Sequence, residues 1–519
     1  MHDFNAEEWT RSLIWIIQTW FIAGIGFVVA TALVARLTHW GRQFWALARP
    51  YFDPRRSRRP LAMLALILLL SIASVRLDVV FSYWNNGFYD SIQSMKQDAF
   101  WFFMKVFGLI ASLMVLQALI AYFVAQAFEI HWRSWMNDRL TDDWLADDAF
   151  YRAQFVAAPG DNPDQRIQVD IGSFVNSTRT LALGAVSSIV SLVTFTAILW
   201  GLSGPLPIAG VVVPRGMVFL VYLYVLIASV VAFRLGRPLI RLSFMGEKLS
   251  ADFRYALIRL REYAENIAFY HGEANERQTL AQRFAAYIAN LWAIVFRTLK
   301  FDGFNLVVTQ TAVVFPFLIQ APRFFSGAIK LGDVIQTAQA FGQVHDALSF
   351  FRNSYDGFAG YRAVLDRLSG FVAANATSRA LPRIAIDARP DALAIEALQV
   401  RRPNGALLVQ DLNLALGPGR SLLVQGASGV GKTTLLRALA GLWPYVEGKV
   451  QRPVGAQALF LPQRPYLPLG SLRTALAYPG PTPDDDRLRS ALQNVQLGHL
   501  QPHLDEVADW SGRLSLGEQ

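Results

Sequence analysis

The sequence predicts two joined parts: a helical region that crosses a membrane several times, then an α/β nucleotide-binding domain. Three observations carry this. Long uncharged segments fill the first two thirds of the 519 residues. Short alternating segments replace them after about residue 392. Among those, residues 426–434 read Gly-Ala-Ser-Gly-Val-Gly-Lys-Thr-Thr, a full G-x-x-x-x-G-K-[ST] phosphate-binding loop.

The bulk numbers agree. The chain is 53% hydrophobic and only 17% charged, with mean hydropathy +0.29, whereas soluble domains carry about 25% charge. Its net charge of +9 and pI of 9.7 would suit nucleic acid. The excess is concentrated instead as arginine beside apolar spans, which excludes that reading. With no cysteine there is no disulfide framework and no thiol or cysteine–metal chemistry.

The first apolar run, 12–35, has no charge and reaches roughly 36 Å as a helix, enough to span. Asp3, Glu7 and Glu8 precede it where a cleaved leader would carry basic residues. Further spans are expected at 60–84, 100–127, 181–203, 215–234, 303–321 and 333–355, the last weakened by Asp333, Gln336 and Gln339. The loop 36–59 holds Arg36, Arg42, Arg49, Arg55, Arg56, Arg58 and Arg59 against Asp53, so it belongs in the cytoplasm. Counting onward puts 128–180, 235–302 and the tail after 355 on the same side, where ATP is. The stretches 129–153 and 236–300 read as helical extensions of the spans. Arg76 and Asp78, two apart within a span, either snorkel or line a polar path. His271 has no second histidine or cysteine at metal spacing and reads as a surface residue.

The expected domains are 1–59 (an extra N-terminal transmembrane helix and basic loop), 60–372 (the transmembrane domain), 373–392 (an Ala, Pro and Arg-rich linker) and 393–519 (the nucleotide-binding domain). Strands are expected at 393–400, 406–416 and 420–424, with a turn at 416–419. In the loop, Gly426, Gly429 and Gly431 leave room for phosphate beside Ala427, Ser428 and Val430. Backbone amides of 429–433 form an anion nest at the start of a helix that runs through Thr434. Lys432 carries the cation for the β- and γ-phosphates of ATP, and the Thr433 hydroxyl suits Mg²⁺. A nucleotide site joined to several spans implies movement of a solute across a bilayer at the cost of ATP.

Two further segments narrow this. Residues 459–479 read LFLPQRPYLPLGSLRTALAYP, and the chain closes on Ser511-Gly512-Arg513-Leu514-Ser515-Leu516-Gly517-Glu518-Gln519. They resemble the glutamine loop and signature motif of ATP-binding-cassette (ABC) ATPases. N-P-D-Q-R-I at 162–167, E-N-I-A-F-Y-x-G-E at 265–273, G-L-W-P at 441–444, L-P-Q-R-P-Y at 461–466 and L-A-Y-P at 476–479 extend the likeness. Across roughly 60–519 the chain resembles ABC half-transporters of the peroxisomal acyl-CoA transporter-like group. The bacterial relatives in that group have an SbmA/BacA-like membrane domain and are linked to vitamin B12, bleomycin and antimicrobial-peptide transport.

The resemblance implies an exporter-type six-helix core with 12–35 as an additional helix. It implies that Gln463 contacts Mg²⁺ and the attacking water, and that Ser515 and Gly517 bind the γ-phosphate held by a facing subunit, hence a homodimer. The stretch 265–273 would couple the membrane region to the nucleotide domain. The expected setting is a bacterial inner membrane with the ATP-binding domain cytoplasmic and a large amphipathic cargo. Arg402 stands before Pro403 where an aromatic commonly stacks on adenine, and its guanidinium plane could stack instead. The catalytic glutamate strand and switch histidine of such ATPases would follow Gln519, so the parent chain is expected to run on. A proton-driven permease with a regulatory nucleotide domain is the alternative. A membrane-bound P-loop kinase or signalling protein is disfavoured by the glutamine loop and signature.

Overall fold

A computed structural model describes residues 4, 6–156, 162–208, 211–389, 392–454, 458–462 and 465–519. The chain forms two compact units, Met1–Arg379 and Ala380–Gln519.

The first unit is helical. In order it contains α1 (Ala6–Leu37), α2 (His39–Ala48), α3 (Arg59–Gln93), α4 (Gln97–Leu145) and the short α5 (Ala149–Arg152) and α6 (Pro163–Gln165). A π-turn at Arg166–Asp170 leads into α7 (Ile171–Leu202), and a β1–β2 hairpin (Leu206–Ile208, Val211–Val213) follows. Then come α8 (Gly216–Glu262), α9 (Ala264–Phe269), α10 (Glu273–Phe325), α11 (Leu331–Asn353) and α12 (Tyr355–Ala380). Among the described residues, six helices are long and apolar enough to cross a bilayer: Glu7–Leu37, Arg59–Gln93, Gln97–Phe155, Pro163–Leu202, Gly216–Glu262 and Glu273–Phe325.

The seventh expected span, 333–355, is a helix but is not in that apolar set. α11 packs against α3, α7, α8 and α10 and buries polar residues with apolar ones: Gln336, Thr337 and His345 beside Ala340, Phe341 and Val344. Neighbouring helices bond three of its polar residues. Asn85 donates to Gln339 Oε1 at 2.9 Å, Asn86 to Asp333 Oδ1 at 3.0 Å and Gln320 to Thr337 Oγ1 at 3.2 Å. A helix enclosed by helices can hydrogen-bond its amides to protein, so it needs no continuous apolar surface.

Gly332 opens this helix where it meets α3. A β-carbon there would lie 2.1 Å from Asn86 O and 2.6 Å from Asp90 Oδ1. The Gly332 amide donates to that same Asp90 oxygen at 3.0 Å. Gly332→Ala is therefore expected to cost about 2 kcal/mol or more through overpacking against backbone. A lowered thermal midpoint of the solubilised protein checks this.

α4, α8 and α10 have 49, 47 and 53 residues, roughly 70–80 Å at 1.5 Å per residue, more than twice a hydrocarbon core. They thus extend well beyond the bilayer, as the charged stretches 129–153 and 236–300 predict. Arg76 neither snorkels nor faces an open path. Its guanidinium bonds Glu8 at 3.0 Å and Ser12 Oγ at 3.0–3.1 Å, with Trp15 beneath it at 5.5 Å. The ion pair holds α1 to α3.

The end of this unit that holds α2 has an aromatic core. Tyr51 stacks on Trp132 (5.4 Å between centroids, 5° between planes), and Phe128, Phe174, Leu365 and Phe371 close around them. Residues 373–380, expected as linker, continue α12.

The second unit is built on a four-stranded sheet in the order β3 (Ala385–Ala388), β6 (Val446–Arg452), β4 (Leu393–Arg401), β5 (Leu407–Leu416). β3 runs parallel to β6, and β4 runs antiparallel to both β6 and β5. Ile395, Leu398, Val400 and Val450 form its buried face. α13 (Lys432–Leu439) follows β5 in sequence. A separate core of Leu472, Leu488, Leu492, Leu500, Leu504 and Trp510 joins α14 (Leu472–Ala477), α15 (Asp485–Asn494), the β7–β8 pair (Gly470–Ser471, Val507–Ala508) and α16 (Trp510–Arg513).

One expected strand is missing. Residues 420–424 join no sheet among the described residues, and Leu422, Leu423 and Val424 are 47%, 78% and 48% exposed. Their near-continuous apolar run is that of a strand buried on both faces. Without a ladder neighbour among the described residues, the pattern alone does not make a strand.

Candidate functional site

The nucleotide loop begins where β5 ends. Leu416 leads into Gly417-Pro418-Gly419, with Arg420 N–H donating to Gly417 O at 3.4 Å and Gly419 at φ 69°. Proline followed by a left-handed glycine closes the turn that the sequence calls for. The segment 421–425 then leads to the loop.

Gly426, Gly429 and Gly431 have φ of 159°, 82° and 113°. At Gly429 and Gly431 a side chain would be strained. Gly431 is also the N-cap of α13, so the chain enters the helix through a conformation that turns successive amides toward one side. Ala427, Ser428, Gly429 and Val430 are exposed, as are Lys432 and Thr433, while Thr434 is half-buried. Lys432 Nζ donates back to Gly426 O at 2.7 Å and Ala427 O at 2.9 Å. The ammonium is thereby held over the loop rather than extended into solvent. A left-handed glycine nest, a helix start and a cation folded over it together fit a polyphosphate. The Thr433 hydroxyl lies in the first turn, on the same loop.

β6 secures the other end of α13. Arg452 Nε donates to Leu439 O at 2.8 Å and Nη2 to Ala440 O at 3.3 Å, and the guanidinium lies 4.9 Å from the Phe460 ring centre. A cation on the last carbonyls suits both their lone pairs and the helix dipole. This positioning residue was missed in the sequence. Its only signal was an arginine ending the strand after the helix.

Arg402 sits in the β4–β5 hairpin, exposed, with its amide on Ala406 O at 2.8 Å and its carbonyl accepting from Gly405 N at 2.9 Å. It belongs to a tight turn. Gln463 lies outside the described residues.

Ser515 and Gly517 occupy a turn rather than the start of an established helix. Gln519 N–H donates to Ser515 O at 3.0 Å. Glu518 Oε2 accepts from Ser515 N at 2.8 Å and Ser515 Oγ at 2.7 Å. This is one helical turn, with Ser515 as cap and Glu518 folding back as in a capping box. Nothing lies within 4 Å of a β-carbon built on Gly517, so that backbone is open to approach. The hydrogen bonds of Ser515 stay within the turn and do not reach the loop at 426–434.

The Ser515 contacts hold the Glu518 carboxyl below its ordinary value of 4.5. A carboxyl depressed in the folded state stabilises above its unfolded pKa and loses that contribution as pH falls through the folded value. The turn at 515–518 should therefore loosen only in acid below the normal glutamate range. Amide exchange at Ser515, corrected for intrinsic pH dependence, is expected to accelerate there and to be pH-independent in Glu518→Gln.

No group of three or more His, Cys, Asp or Glu suited to a metal occurs among the described residues.

Comparison with known proteins agrees with this arrangement. Residues 47–325 match the family described as ABC transporter transmembrane region 2, and residues 409–519 match the ABC transporter family of ATP-binding domains. An uncharacterised ABC transporter ATP-binding protein of Haemophilus influenzae is 47% identical over all of this chain and 87% of its own length. ABC transporter D family member 2, chloroplastic, of Arabidopsis thaliana is 31% identical over 92% of this chain and 77% of its own. The inner membrane ABC transporter ATP-binding protein YddA of Escherichia coli is 29% identical over 92% and 85%. The chain belongs to the ABC transporters, as an integral membrane half-transporter with one transmembrane region followed by one ATP-binding domain, akin to the D sub-family and its bacterial relatives.

Proposed function

We propose that this chain, as a homodimer, uses ATP to carry a large amphipathic solute across a bacterial inner membrane by alternating access. The observation that carries the reading is a complete phosphate loop, with Lys432 over it, in one chain with six helices able to span among the described residues. Amides of 429–433 would hold the phosphates and Lys432 would neutralise their charge. Thr433 and Gln463 would hold Mg²⁺, which when bound offsets negative charge developing on the transferred phosphoryl group. Ser515 and the open backbone of Gly517 would meet the γ-phosphate from the facing subunit. Arg402 would offer a flat surface to adenine. The 265–273 stretch, between α8 and α10, would transmit closure of the nucleotide domains to the spans.

The seven arginines of 36–59 favour a cytoplasmic location for that segment and for the ATP-binding domain. An inner-membrane setting is favoured by the Escherichia coli relative, whose name states it. Cargo class rests on likeness to the group alone. A proton-driven permease is less favoured, because Arg76 is committed to Glu8.

The test is uptake of a fluorescent amphipathic peptide set by sealed vesicles holding the full-length protein. Uptake should require hydrolysable ATP and survive collapse of the proton gradient. Uptake that follows the gradient and ignores ATP contradicts the proposal.

A further inference from the structure

The segment 36–59, which joins α1 to α3, holds seven arginines against one acid, and its helix is packed on the aromatic core. α2 is amphipathic. Gly41, Leu47 and Ala48 are buried, and Trp40 and Phe44 pack on the aromatic core. Gln43 donates to Asp366 of α12 at 2.8 Å, and Arg139 to Leu47 O at 3.2 Å. The opposite face presents Arg42, Trp45, Ala46 and Arg49, all exposed, at the spacing of one helical stripe.

After Tyr51 anchors the chain on Trp132, a turn exposes Arg55, Arg56, Arg58 and Arg59. The one acid in 36–59, Asp53, turns its Oδ1 to the backbone amide of Arg55 at 3.0 Å. Among the described residues, none of these six guanidinium groups has a carboxylate partner. Arg42 reaches only the Arg36 carbonyl, at 3.4 Å. α1 and α3, on either side, are both long and apolar enough to span. A segment joining two spanning helices emerges at a membrane surface, whichever way the protein is oriented.

We propose that the outer face of α2 and the turn 55–59 form a binding site for the phosphates of anionic lipids such as phosphatidylglycerol. Guanidinium forks pair with phosphate oxygens in two-point geometry. Exposed Trp45, 42% accessible, would sit among the headgroups as interfacial tryptophans do. A free phosphate satisfies the same forks but gains nothing from Trp45 or from the adjacent acyl chains. Each basic residue near an anionic surface contributes about fivefold in affinity, and the effect is screened by salt.

The experiment is native mass spectrometry of the delipidated full chain titrated with phosphatidylglycerol, phosphatidylcholine or inorganic phosphate, at low and high ammonium acetate. Phosphatidylglycerol is expected to bind at least about tenfold tighter than phosphatidylcholine at low salt, with the preference falling toward unity at high salt. Inorganic phosphate at the same concentration should not displace it. The variant R55Q/R56Q/R58Q/R59Q should bring the two lipids within about twofold of each other. The lysine counterpart R55K/R56K/R58K/R59K keeps the charge that guides insertion but not the two-point geometry, and should retain only part of the preference. Equal binding of the two lipids by the wild-type chain overturns the proposal. So does a preference indifferent to salt, or displacement by inorganic phosphate. The wild-type salt and phosphate arms decide the matter even if the glutamine variant does not insert.

Discussion

Lys432→Ala is expected to lower ATP hydrolysis by a factor on the order of 10² to 10³, the cost of removing one preorganised donor from developing phosphoryl charge. The loop itself should persist. Among the described residues the Lys432 ammonium bonds only Gly426 O and Ala427 O, both on exposed residues that water can satisfy. An unchanged thermal midpoint with lost phosphate release would show that the lysine serves chemistry rather than folding. Lys432→Arg keeps the charge but replaces a compact ammonium with a broad fork, and should recover little.

The largest effect on stability is expected at Asp170. Its carboxylate, nearly buried, accepts from Arg166 one turn earlier and from both Nε and Nη2 of Arg367 on α12, at 2.9 and 2.6 Å. The pair with Arg367 is bidentate, the strongest common geometry for such groups. Asp170→Ala removes the carboxylate shared by Arg166, 7% exposed, and Arg367, a loss of about 3–5 kcal/mol. α12 would also lose one of its ties to α7. Asp143 provides the neighbouring tie to α12, through Arg379 and Asn375 at 2.7 and 2.9 Å, so the helix should remain folded but less firmly docked. Thermal denaturation should show a large drop in midpoint. Adding Arg166→Met should restore part of it, because one of the two cations that faced the lost carboxylate is then gone.

The chemistry was more legible in the sequence than the architecture around it. Positive φ at Gly429 and Gly431 is what a phosphate loop demands of glycine, and those positions are fixed by local covalent geometry. Hydropathy found α1, α3, α4, α7, α8 and α10, because lipid-facing helices must be apolar along their length. It understated α11, whose Asp333, Thr337 and Gln339 bond to side chains on other helices. Those partners lie far away in sequence. Arg76 shows the same gap: Glu8 is 68 residues distant, so a local reading left it between snorkelling and a polar path. Residues 420–424 err in the other direction. They carry a strand's composition, and pairing, not composition, makes a strand. The signature turn lies between these cases. Ser515 and Glu518 announce a capped helix start, and one turn of it is present.

The most direct test of the central claim is equilibrium binding of Mg-ATP to the purified intact protein, with Lys432→Ala and Ser515→Ala alongside. The account predicts saturable binding in the wild type that weakens in both variants, with the Ser515 effect vanishing when the subunits are kept apart. No saturable binding, or binding that ignores both substitutions, would contradict it.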